Sequence, residues 1–85
     1  MNIKILGPGC AKCHELDKRT REVVQEQNWN TDVEYVQDLN EIIKYGILTT
    51  PGLVVNEKVV CSGRLPSKDE IAKLIASAAG EKEKA

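Results

Sequence analysis

The chain has 85 residues, 41% of them hydrophobic, and its 12 basic and 13 acidic side chains leave a net charge of −1. That length serves one domain and one core but not two, and so balanced a charge sets up no field to gather nucleic acid or an anionic membrane. Trp29, Tyr35 and Tyr45 are the only aromatics, too few for base stacking, and no apolar run reaches the roughly 18 residues that would cross a bilayer.

Ile3–Leu6 is a short, nearly all-apolar stretch that predicts a strand covered on both faces. Gly7-Pro8-Gly9 ends it, too soon for an export signal, so a cytoplasmic location is expected. From residue 11 to 27 the pattern is helical, with Cys13, Leu16, Thr20, Val23 and Val24 on one face and Lys12, Glu15, Lys18, Arg19, Glu22 and Glu26 over much of the rest. The charges read as a solvated face with weak pairs such as Glu15–Arg19. Trp29 is expected to cap the edge of the core.

Residues 31–37 alternate, with Val33, Tyr35 and Gln37 on one side and Asp32, Glu34 and Val36 on the other, which predicts a second strand. Asp38, with Glu41 three residues on, starts a short helix that presents Leu39, Ile42 and Ile43, and Gly46 stops it. Leu53-Val54-Val55 is a third strand, with Pro51 confined to its beginning or edge because proline offers no ladder donor. Asn56-Glu57 turns the chain into a fourth strand over 58–62, and Gly63 marks a bulge or the strand end. Ser67 and Glu70 form a capping box for a last helix whose apolar face is Ile71, Ala72, Leu74, Ile75, Ala78 and Ala79. Gly80 is expected to end that helix, giving a domain over 1–80 and a disordered tail over 81–85.

The chemistry gathers at Cys10-Ala11-Lys12-Cys13-His14. Residues three apart share one helix face, close enough for a disulfide. Cys10 is expected at the N-cap or first helical position, where unpaired backbone N–H groups and the helix dipole favour thiolate. Thiols so placed have pKa values of about 3.5–7.5 instead of about 8.5, and Lys12 adds a positive charge of the same effect. Cys10 is therefore the expected nucleophile, and Cys13, in line with the apolar face, the resolving thiol. Gly7 and Gly9 leave room for a partner chain at Cys10. His14 is expected on the surface, pointing away from Cys13, and Cys61 as a small buried hydrophobe.

Other readings stand beside this one. Cys-x-x-Cys-His is also the attachment signature of c-type haem. Cys10, Cys13, His14 and Cys61 could supply ligands for zinc or copper, which would make the chain a metal-binding or metal-delivery protein. A structural disulfide is a further alternative, although so small a loop would stabilise weakly. Three cysteines, an odd number, do not suggest a secreted disulfide framework. In a reducing compartment a close pair is more often catalytic or metal-binding than structural.

The order strand, helix, strand, helix, hairpin, helix, with Cys-x-x-Cys at the first strand–helix junction and Thr49-Thr50-Pro51 before the third strand, resembles the thioredoxin-like superfamily. Gly-Pro-Gly-Cys-x-x-Cys at 7–13 and Gly-Arg-x-Pro-Ser at 63–67 resemble the small redox-active disulfide proteins of archaea and bacteria, which are thioredoxin/glutaredoxin-like chains. The likeness runs from Ile3 to Ala79. It implies an α/β, thioredoxin-like fold of order βαβαββα. A four-stranded mixed sheet in the order 2-1-3-4 would carry the first and third helices on one face and the second on the other. It also implies a cis Thr50–Pro51 bond, with Pro51 packed beside the cysteines and the Thr50 backbone offered to an incoming peptide. The activity implied is thiol–disulfide exchange with no cofactor and no metal. Cys10 and Cys13 would be catalytic, Gly9, Ala11 and Lys12 would support them, and Thr50 and Pro51 would meet the substrate. Implied partners are disulfide-containing proteins and an electron donor like thioredoxin reductase, with the chain a monomer. Three departures stand out. Gly9 replaces the tryptophan that typically precedes the first cysteine of thioredoxins. The first strand also lacks their buried acid. Ser62-Gly63-Arg64-Leu65 differs from the Gly-Gly-acidic segment with which glutaredoxins hold glutathione.

Overall fold

The computed structural model describes residues 2–84, without the side chains of residues 80–84. The elements are β1 (Ile3–Leu6), α1 (Ala11–Glu26), β2 (Val33–Val36), α2 (Leu39–Lys44), β3 (Gly52–Val55), β4 (Lys58–Ser62) and α3 (Lys68–Lys84). The strands form one sheet in the order β2-β1-β3-β4. β1 and β2 run parallel, with Ile3 opposite Val33 and Leu6 opposite Val36. Such a pair needs a crossover, and α1 provides it. β1–β3 and β3–β4 are antiparallel. The expected element order, mixed sheet and strand order are all present.

Alternation along the strands divides the core in two. On one face Ile3, Ile5, Leu53, Val55 and Cys61 pack with Leu16, Val23 and Val24 of α1 and Ile71, Ile75 and Ala78 of α3, and Trp29 lies partly buried at the rim. On the other face Leu6, Val36 and Val54 pack with Ile42 of α2. A six-residue helix covers only part of that face. Its one buried side chain is Ile42, and Leu39 and Ile43, expected to join the core, stay exposed. Lys4 points from the central strand into the uncovered part. Its ammonium donates to the Tyr45 hydroxyl (2.8 Å) and pairs with Glu57 (3.1 Å), while the Tyr45 hydroxyl donates to Glu57 Oε2 (2.9 Å). The Tyr45 and Glu57 bonds hold Lys4 protonated well above the ordinary lysine range, so a charge is tolerated at mid-sheet.

The turns follow local chemistry. Asn56 and Glu57 both have positive φ, as a two-residue hairpin loop of this hand requires. The irregularity in the β3–β4 ladder lies between Leu53 and Val54, so Gly63 ends β4 and does not bulge it. Ser67 Oγ accepts the Glu70 N–H (3.3 Å), as the capping pattern predicts. α3 continues through Gly80 to Lys84, past its expected end. A single glycine costs about 1 kcal/mol in a helix, and the Glu and Lys residues after it are good helix formers. The tail expected over 81–85 falls on side chains, and at Ala85 on backbone, outside the described residues. Among the described residues no helix is long and apolar enough to cross a membrane.

Thr20 is the one fully buried polar residue of α1, and its hydroxyl has no hydrogen-bond partner. Thr20→Val keeps the shape and removes the orphan group, so it should raise stability by about 1–2 kcal/mol. Leu16→Ala opens a cavity between α1 and the sheet and should lower stability by about 3 kcal/mol. Urea denaturation of the two variants checks both signs.

Candidate active site

The chain leaves β1 at the end where β2 also finishes and where β3 begins, so three loops meet there. Gly7 is tied to β2 by its N–H, which donates to the Val36 carbonyl (3.0 Å). Gly9, with φ +109°, then turns the chain into α1. Cys10 is the N-cap, as expected, with extended backbone (φ −71°, ψ 166°). Its Sγ accepts the Cys13 N–H (3.2 Å), satisfying one of the orphan donors of a helix start. Cys10 and Cys13 are joined in a disulfide with Cα atoms 5.0 Å apart. Cys10 is exposed and Cys13 is 0% exposed. The first turn of α1 carries no acidic side chain, so nothing there opposes a thiolate.

Gly7 has a different use from the one expected of it. A Cβ on Gly7 would stand 2.8 Å from Cys13 Cβ and collide with its Sγ. The glycine therefore makes room for the buried Cys13 and not for a partner chain. Ala11 and Lys12 are exposed beside Cys10. Thr50 is half-buried, Pro51 is buried, and the bond between them is cis. The ladder that sets Leu6 opposite Gly52 brings Pro51 alongside Gly7 and thus close to the thiol pair. Gly63, with φ +77°, donates its N–H to the Pro51 carbonyl (2.9 Å), and a Cβ there would stand 3.2 Å from Thr49 Cβ. That glycine holds the 49–51 loop against β4.

His14 is exposed, but it is not idle on the surface. Its ring meets Tyr35 edge-on, with centroids 5.5 Å apart and planes at 81°. Its Nε2 also reaches back to within 3.9 Å of the point where a Gly9 Cβ would be. The spacing of four from Cys10 is the sequence signal for this shared face. Gln37, whose Nε2 lies 3.4 Å from the same point, gave no such signal, because β2 brings it in from far along the chain. Glu34, the carboxylate nearest in kind to the missing acid of β1, is exposed on the opposite side of β2 from Tyr35. Cys61 is buried in the first core, and burial pushes its thiol up against the pull of Arg64. Among the described residues no three or more His, Cys, Asp and Glu side chains stand together as a metal site needs, so Cys10, Cys13, His14 and Cys61 do not assemble into one ligand set.

An exposed N-cap cysteine disulfide-bonded to a buried partner one turn on, at the end of a central strand and beside a buried proline, defines a dithiol–disulfide exchange protein. A family model described as the thioredoxin domain matches residues 1–76. The chain is 37% identical over 75 residues to the thioredoxin of Methanothermobacter thermautotrophicus strain Delta H, covering 88% of this chain and 97% of that one. It is 33% identical over 69 residues to a thioredoxin of Methanocaldococcus jannaschii, covering 81% and 79%. The chain belongs to the thioredoxin family and is a thiol–disulfide oxidoreductase.

Gly7→Ala should cost at least about 2 kcal/mol, because neither backbone nor Cys13 can retreat from the added methyl without disturbing the core. Comparing thermal denaturation of the oxidised variant and wild type reads this directly. Cys61, kept protonated by burial, should resist alkylation at neutral pH in the folded protein and react once urea unfolds it. The unfolded thiol ionises first, so the stability it contributes is complete below the ordinary thiol pKa and declines as pH rises past it. Alkylation rates followed by mass spectrometry across that range check the sign.

Proposed function

We propose that residues 1–80 form the working domain of a cytoplasmic, monomeric protein-disulfide reductase in which Cys10 is the nucleophile and Cys13 the resolving thiol. The observation that carries this is the unequal exposure of the two sulfurs at one helix N-terminus. Only Cys10 can be reached by a substrate, and only Cys13 is placed to displace it afterwards.

In the reduced protein the Cys10 thiolate attacks one sulfur of a substrate disulfide. The substrate S–S bond breaks, a mixed disulfide forms at Cys10, and the departing thiolate takes a proton from solvent. Cys13, as thiolate, then attacks Cys10 Sγ. The mixed disulfide breaks, the second substrate thiol leaves, and the Cys10–Cys13 bond holds the two electrons' worth of oxidation. A dithiol donor of the thioredoxin-reductase kind restores the reduced pair, completing electron transport. Gly9, Ala11 and Lys12 shape the approach to Cys10. Thr50 and Pro51 form the opposite wall, where the half-buried Thr50 backbone can pair with an extended peptide.

Cys10→Ser should abolish reduction of a protein disulfide, and Cys13→Ser should leave the protein trapped in mixed disulfides that survive non-reducing electrophoresis. A Cys10→Ser protein with full dithiol-dependent activity would refute the assignment. Titration of the pair against thiol buffers, read by mass spectrometry of alkylated protein, should give a potential between about −200 and −300 mV. A reduced protein that copurifies with stoichiometric metal and does not form the disulfide would instead favour metal delivery.

A further inference from the structure

A slot next to the nucleophile is left unfilled. Gly9, directly before Cys10, has φ +109°, a conformation that residues with side chains rarely adopt. The point where its Cβ would stand lies 3.4 Å from Gln37 Nε2 and 3.9 Å from His14 Nε2. Two side-chain nitrogens from different elements thus converge on one empty position. Gln37 is delivered by β2, whose Val36 carbonyl takes the Gly7 N–H. His14 is delivered by α1, and the Tyr35 ring backs its imidazole. No hydrogen bond or ion pair among the described residues engages either nitrogen.

Apart from the two thiols, Lys12 and His14 are the only ionisable side chains between residues 7 and 14. The neighbouring carboxylates are occupied: Asp38 accepts the Asn40 N–H (2.9 Å) and Glu15 pairs with Arg19 (3.0 Å). A group entering this position meets two side-chain nitrogens, with one oxygen of the Asp38 carboxylate committed to the α2 cap. Donors of this kind form their strongest hydrogen bonds to ionised acceptors.

We infer that Gln37 and His14 form a subsite for a carboxylate carried by the substrate close to the sulfur that Cys10 attacks. This rests on the reading of Cys10 as the nucleophile. The carboxylate can belong to an acidic residue beside a protein cysteine or to a small disulfide, and the chemistry recognised is the same.

The test measures reduction rates of two matched pairs by the reduced protein. One pair is dithiodipropionate and bis(hydroxyethyl) disulfide; the other is a disulfide-bonded peptide with Asp or Asn beside the cysteine. Each acidic-to-neutral ratio is divided by the ratio for dithiothreitol, which removes intrinsic reactivity. The wild-type ratio should be about tenfold in at least one pair, the size expected of charge-assisted hydrogen bonds at a partly exposed site. Preference in the peptide pair alone assigns the carboxylate to a protein, and preference in the small pair alone to a small disulfide. Gln37→Glu should bring the ratio to one or below, and His14→Leu should lower it severalfold. A wild-type ratio near one in both pairs, or a ratio that both variants leave unaltered, overturns the subsite. A wild-type protein that reduces the neutral disulfides no faster than Cys10→Ser sinks the dithiol reading and the subsite with it. Failure of the ratio alone leaves the dithiol reading standing.

Discussion

The approach of Cys13 to Gly7 sets the geometry on which the site depends. α1 can descend onto the end of β1 only because the strand ends in a residue without a side chain. The same Gly7 is bonded to Val36 of β2 and lies beside Pro51 at the entrance to β3. One close backbone contact therefore fixes the helix start, the neighbouring strand and the proline loop together. Leu16, Val23 and Val24 then continue the helix's buried face from Cys13 across the sheet. Disulfide and core share one helix, and Cys13 is the first member of its buried stripe.

The two faces of the sheet are stabilised by different means. α1 and α3 cover one face with a continuous apolar cluster. The other has a shorter helix, a smaller cluster and a polar network in which Lys4, Tyr45 and Glu57 satisfy one another. That network gives a lysine on a central strand two partners on the part of the sheet that α2 leaves uncovered. It also ties the hairpin between β3 and β4 to the loop after α2, on the side of the sheet away from α1 and α3.

Much of this arrangement was legible in the sequence. Periodicity, apolar runs and turn signals marked all seven elements, Cys10 was placed at the helix start, Cys13 and Cys61 in the interior, and Ser67 was correctly read as an N-cap, although the Glu70 carboxylate pairs with Arg64. The misreadings share a physical cause, which is that a local pattern does not say what lies opposite. Leu39 and Ile43 have helical spacing with Ile42, yet six residues turn only one stripe toward the sheet. Gly7 read as room for a partner because its true neighbour, the Cys13 side chain, meets it only in three dimensions. His14 is on the surface as expected, and its contact with the Tyr35 ring was not read because Tyr35 lies on another element. Gln37 carried no pattern at all and became visible only when β2 was paired beside β1. Gly80 read as a stop because glycine often is one, whereas the good helix formers after it carry α3 on.

The unequal burial of the two cysteines gives traffic through the site a single doorway. Of the two sulfurs only that of Cys10 belongs to an exposed residue, since the cysteine behind it faces no solvent. No substrate can dock on the inner thiol and block the cycle from the wrong side. Oxidants that attack exposed thiols also find one sulfur instead of two, and that sulfur has a ready partner behind it that can close it back into a recoverable disulfide before it is damaged beyond repair. The deep placement of Cys13 thus leaves a single sulfur of the pair open to such oxidants.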